Sequence, residues 1–171
     1  MTLLSLLSAT PRIRVIGAAA IAVVLGLASF AAAADGPFVA LMGTWSGTGT
    51  ISLSSGAKER IRCNATHRIG ANNDELKLEL TCASDSYKFS LQSQVTDRGG
   101  TISGNWYETT RATGGALTGR IAGSLINVRV EGPTFNALLA VTTKGDKQAI
   151  SIQSPGSEMS DISITLTRKS K

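Results

Sequence analysis

Two runs of alternating residues flank Asn72-Asn73, and one register zips them together. Ile61, Cys63, Ala65, His67 and Ile69 occupy alternate positions before the asparagines, and Leu76, Leu78, Leu80 and Cys82 do so after them. A period of two marks a strand with one buried face, and asparagine tolerates the positive φ of a tight hairpin turn. With Asn72 and Asn73 as a two-residue turn, Ile69 faces Leu76, His67 faces Leu78, Ala65 faces Leu80, and Cys63 meets Cys82. A slip of one residue would turn the whole apolar set outward. The same register therefore predicts the apolar face and a Cys63–Cys82 disulfide, which closes a loop worth about 3 kcal/mol by chain entropy.

The alternation continues. Tyr87, Phe89, Leu91, Ser93 and Val95 share one face, and Asp97-Arg98-Gly99-Gly100 turns into Ile102, Gly104 and Trp106. After a loop expected at Arg111 to Gly115 come Leu117, Gly119, Ile121 and Gly123, in a register that sets Trp106 beside Gly119 and Ile121 beside Gly104. Large against small on an inner face is how a small barrel fills its interior. Gly132-Pro133 separates Ile126, Val128 and Val130 from Phe135, Ala137, Leu139 and Val141; Ile150 and Ile152, then Ile162, Ile164 and Leu166, complete the set. Eight to ten strands with short connections predict an all-β, antiparallel up-and-down barrel, which removes exposed edges; a sandwich is the alternative. Arg60, Arg62, Lys77, Lys88, Arg120 and Arg129 have outward parity, which argues against an outer-membrane barrel.

Residues 1–34 do not follow this pattern. Arg12 and Arg14 precede an uncharged apolar stretch that ends in Ala31-Ala32-Ala33-Ala34, the order of a helical secretory signal peptide. The expected organisation is a signal peptide at 1–34, an N-terminal extension at 35–41 and a barrel domain at 42–171, exported to a bacterial periplasm or secreted. No stable membrane insertion is expected after cleavage. Two cysteines in an oxidising compartment should pair. Of 17 basic side chains two lie in the leader, so the mature excess over 12 acids is three, too mild to imply nucleic acid as a partner. The oligomeric state stays open.

Leu41-Met42-Gly43-Thr44-Trp45, a Gly-x-Trp opening the first strand, resembles the start of calycin-type barrels: lipocalins, fatty-acid-binding proteins and nitrobindin-like barrels. The resemblance implies that Trp45 closes the barrel floor under Arg168, as a cation-π pair. Nitrobindin-like barrels use a histidine near the chain end; this sequence has none there, so no haem or other cofactor is expected. The order Trp45, Cys63, Cys82, Trp106 is also similar to that of periplasmic metalloprotease-inhibitor barrels, which implies that residues 35–41 would enter a protease cleft.

The chemistry-bearing residues are few. His67 is the only histidine, and its facing residue is apolar, so neither a nucleophilic dyad nor a metal cluster assembles around it. Glu108 continues the inward parity of Trp106 without a second inward carboxylate. The expectation is a non-enzymatic barrel that holds a small apolar or amphipathic ligand against His67, Tyr87, Phe89, Trp106 and Glu108, with no catalytic residues and no metal. The alternative is a periplasmic inhibitor of a protease or lysozyme, or an envelope protein-interaction module.

Overall fold

The computed structural model describes residues 36–133 and 136–170; the leader, Asp35 and Phe135 lie outside them. After a 3₁₀ turn at Val39–Leu41 come ten strands: β1 Gly43–Leu53, β2 Lys58–Ile69, β3 Glu75–Ala83, β4 Lys88–Arg98, β5 Thr101–Glu108, β6 Thr113–Ala122, β7 Leu125–Glu131, β8 Asn136–Lys144, β9 Lys147–Gln153 and β10 Met159–Arg168. Each pairs antiparallel with its chain neighbour, and β1 pairs with β10, so the barrel closes.

The β2–β3 register is the one read from the alternation: Cys63 pairs with Cys82, Ala65 with Leu80, His67 with Leu78 and Ile69 with Leu76. The disulfide is formed, with Cα atoms 4.1 Å apart. The turn itself differs. It begins at Gly70, whose carbonyl accepts from the Asn73 amide at 3.0 Å, and Asn73 takes the left-handed conformation at φ 60°.

The β5–β6 register also differs. Trp106 faces Gly115, Gly104 faces Leu117 and Ile102 faces Gly119, four residues from the expected pairing. The cause is the loop, which occupies 109–112 because Glu108 gathers its amides and Ala112 accepts φ 49°, so β6 starts at Thr113. An even shift preserves the faces, and so the inward set survives. Gly104 and Gly119 do not open space for a ligand. A Cβ on Gly104 would meet the Gln94 carbonyl and the Val95 Cα, and one on Gly119 the Asn127 carbonyl. Their absent side chains let neighbouring strands cross closely and curl.

Two apolar clusters make up the core, each running along the strands from one end of the barrel to the other. One centres on Trp45, Ile51, Ile61, the disulfide and Leu166; the other joins Phe38 and Leu41 to Val95, Ile102, Trp106 and Leu117. The outer wall carries Arg60, Arg62, Lys77, Lys88, Arg120 and Arg129, all exposed.

Candidate functional site: a cavity closed at one end

The floor is built from the chain segment that leads into β1. Phe38 and Leu41 turn inward and are fully or almost fully buried. Gly43 takes φ 115°, a conformation open to glycine, and so redirects the chain from the 3₁₀ turn into the strand. Beneath, the Trp45 indole N–H donates to the Leu41 carbonyl at 2.8 Å, and the Arg168 guanidinium stacks 4.2 Å from the Trp45 ring centroid. Arg168 also donates to the carbonyls of Ala40 (2.7 Å) and Met42 and to the Asp146 carboxylate (3.1 Å). One cation therefore ties the last strand, the first strand and the floor segment together.

Within the described part of the 35–41 extension, this burial argues against the entry into a protease cleft that the inhibitor resemblance implies. Phe38 is 0 % exposed and Leu41 4 %, so the apolar side chains that would enter a protease cleft are already committed to the barrel's own core.

Above the floor lies a cavity of about 540 Å³, walled by aliphatic and aromatic side chains such as Leu78, Phe89, Leu91, Trp106, Val128 and Leu139. That volume falls within the roughly 300–1,000 Å³ of typical small-molecule sites. Its mouth is polar, with Glu108, Arg111, Ser154, Ser157 and Glu158 at the rim.

Of the residues read as ligand-binding from sequence, His67, Phe89, Trp106 and Glu108 line this cavity. Tyr87 does not. The alternation that placed it inward stops at Lys88, where β4 begins; Tyr87 belongs to the preceding turn, its amide held by the Ser84 hydroxyl at 2.9 Å and its own hydroxyl donating to Glu158 at 2.8 Å. It braces a rim residue instead of facing the ligand space.

Glu108 is a loop anchor. Its Oε1 accepts from the amides of Ser90 (2.8 Å) and Thr110 (3.1 Å) and from the Thr110 hydroxyl (2.7 Å), and its Oε2 accepts from the Arg111 amide at 2.7 Å. Burial pushes its carboxyl up, but these hydrogen bonds outweigh that and hold it down at about 2.

His67 is 6 % exposed and faces Gly43 on one side and Leu78 on the other, with its ring edge-on to Trp45 at 6.3 Å between centroids. Burial, reinforced by the charge of Arg168, lowers its pKa to about 4, so the imidazole is neutral at physiological pH. Its Nδ1 is buried without a hydrogen-bond partner.

Gln148 was missed. It shares the parity of Ile150 and Ile152, which would have placed it inward, but polar residues attract less notice in an alternation read through its apolar members. It is 1 % exposed, lines the cavity, and its side-chain amide meets Thr143 Oγ1 at 3.1 Å while the other end of the amide has no partner.

No family model matches the sequence, and no curated protein matches it either. Solved structures do. Rv2717c from M. tuberculosis superposes with a TM-score of 0.62 at 14 % identity, covering 78 % of this chain and 95 % of that one. The two chains share a barrel fold. The S-type phycobiliprotein lyase CPES from Guillardia theta matches with a TM-score of 0.56 at 10 % identity, over 78 % of this chain and 91 % of its own. At such identities the likeness speaks for the fold, in keeping with the Trp45–Arg168 stack that the opening motif implies.

Proposed function

We propose that this protein is an exported, non-enzymatic carrier or sensor barrel that takes up a small apolar or amphipathic molecule through its polar mouth. The observation that carries the reading is the cavity: about 540 Å³ of mostly apolar wall inside a closed barrel. An apolar space of this size gains little from water and much from an apolar guest, because water inside would lack hydrogen-bond partners along most of the wall. The similarity in fold to a phycobiliprotein lyase supports a ligand-holding use of such a barrel. Holding in preference to turnover is supported by the state of the two titratable groups lining the cavity that sequence singled out: Glu108 is fully engaged by its loop, and His67 Nδ1 has no hydrogen-bond partner among the described residues. Export is supported by the residue order of 1–34 and by the disulfide, a bond that persists in oxidising compartments.

The test is native mass spectrometry of mature protein purified gently from its own envelope fraction, before and after denaturation. A mass excess of a few hundred daltons that is lost on denaturation is expected. Ser93→Phe, which fills the cavity from its wall, should abolish that excess while the thermal transition stays cooperative. A bare protein that also fails to take up added apolar probes would overturn the reading.

A further inference from the structure

Two polar side chains at the closed end of the cavity each hold one buried atom that has no hydrogen-bond partner among the described residues. His67 lies two residues before the end of β2 and Gln148 one residue after the start of β9, both toward the plugged floor. His67 Nδ1 and Gln148 Oε1 are buried and make no hydrogen bond, though both residues line the cavity. A buried polar atom left without a partner costs about 1–3 kcal/mol, and native proteins keep few of them. Two of them on residues that line one apolar space have the character of a binding contact waiting for its counterpart.

We propose that the ligand sits polar end down: an uncharged, hydroxyl-bearing head group hydrogen-bonds at the floor with His67 and Gln148, and an aliphatic body extends toward the mouth. This rests on the reading of the cavity as a ligand site. A hydroxyl both donates and accepts, so it suits a neutral imidazole in either tautomer and either end of an amide.

The head group is uncharged because, among the described residues, the cation lining the cavity is Arg111, which lies at the mouth and not at the floor. Arg168, the basic residue beneath it, is stacked on Trp45 and spends its donors on Ala40, Met42, Gly145 and Asp146. A carboxylate brought to the floor would be buried without a counterion, which is strongly unfavourable. A carboxylate would instead find Arg111 at the mouth, where the guanidinium is half exposed and 3.7 Å from Glu108. Head-down alcohol and head-up acid are therefore two distinguishable poses.

Three probes of one chain length separate them: 1-dodecanol, 1-chlorododecane, which lacks the hydroxyl, and dodecanoate. Affinities are measured by displacement of a neutral naphthylamine dye, and the single histidine gives an unambiguous ring ¹⁵N signal. In the wild type, dodecanol is expected to bind at least tenfold more tightly than chlorododecane and to shift the His67 ring nitrogens, which chlorododecane leaves in place. His67→Phe and Gln148→Met should each shrink that ratio severalfold without weakening chlorododecane, a control that the cavity is intact. An unchanged ratio in both variants, or no preference for the alcohol in the wild type, overturns the head-down pose while leaving the cavity reading standing. Tightest binding by dodecanoate, lost in Arg111→Ala, overturns it in favour of a head at the mouth. Failure of all three probes to bind removes the cavity reading itself.

Discussion

At the plugged end, three of the four hairpins turn in two residues, Gly99-Gly100, Gly123-Ser124 and Gly145-Asp146, each with glycine at positive φ; at the mouth every connection has four or five residues. Two-residue turns of this kind match the twist of the strands they join and leave almost no backbone to satisfy elsewhere. The longer loops of the mouth carry free amides and carbonyls, and side chains hold them: Glu108 gathers the 109–112 loop, the Ser157 hydroxyl sits 2.8 and 2.7 Å from the carbonyls of Ser154 and Met159, and Tyr87 reaches across to Glu158. The closed end is thus fixed by backbone geometry and by the Trp45–Arg168 stack, and the open end by bonds that individual side chains make and can break. A barrel that admits a ligand needs that asymmetry, with one rigid end and one that can be remodelled at modest cost.

The sharpest way to break this contrast is to remove the floor. Trp45 is fully buried and supports both Leu41 and Arg168. Trp45→Ala should destabilise the protein by about 3–5 kcal/mol, the usual cost of deleting a buried aromatic ring, read from the urea midpoint at constant slope. A loss below about 1 kcal/mol would mean that the floor is not the rigid end.

The disulfide comes next. Cys82 is one residue from the mouth end of β3, so the bond secures the strand pair nearest the longer loops. Replacing both cysteines by alanine should cost about 2–5 kcal/mol, and amide exchange should rise first around 83–88, not at the two-residue turns. Exchange that rises equally at both ends would contradict the proposed asymmetry.

The two ends should also answer to acid in different windows. At the floor, the folded state keeps His67 neutral down to about pH 4, whereas an unfolded histidine takes up its proton near 6.5. The stability due to the neutral ring is complete above pH 6.5 and falls as pH drops toward 4, by up to about 3 kcal/mol. His67→Phe should flatten the stability profile in that interval. A profile with the same slope in the variant would place the acid sensitivity elsewhere.

How much of this was legible in the sequence follows from which forces act locally. Alternation reports faces, so the inward sets of β2 and β3 and their register at Cys63 and Cys82 could be read directly, the disulfide adding a second constraint on the same pairing. Register in β5–β6 depends on where a loop folds, and that is decided by a carboxylate capping four groups in three dimensions, which no spacing announces. Ten strands fell within the expected eight to ten, but the plug at Phe38 and Leu41 was invisible, since a short apolar segment before a strand looks the same whether it protrudes or folds back. In the cavity, His67 was legible through parity because it stands alone among apolar residues. Gln148 obeyed the same parity and was passed over because a glutamine on an inner face runs against the usual preference for burial.

The mouth offers the smallest and most specific test. Glu108 titrates below its ordinary range because it accepts four hydrogen bonds in the folded state, and its carboxyl is held at about 2. A depressed carboxyl contributes stability that is complete above its unfolded value near 4.5 and is lost as pH falls toward 2, a window that begins where that of His67 ends. Glu108→Gln keeps the size, removes the charge and can accept through one oxygen only, so the 109–112 loop should loosen at a cost of about 1–3 kcal/mol, in line with hydrogen bonds to charged groups. In that variant the loss of stability below pH 4.5 should shrink while the loss between pH 6.5 and 4 persists. If instead both windows weakened together, the two ends of the barrel would be coupled, and the mouth could not open without disturbing the floor on which the ligand's head group is proposed to rest.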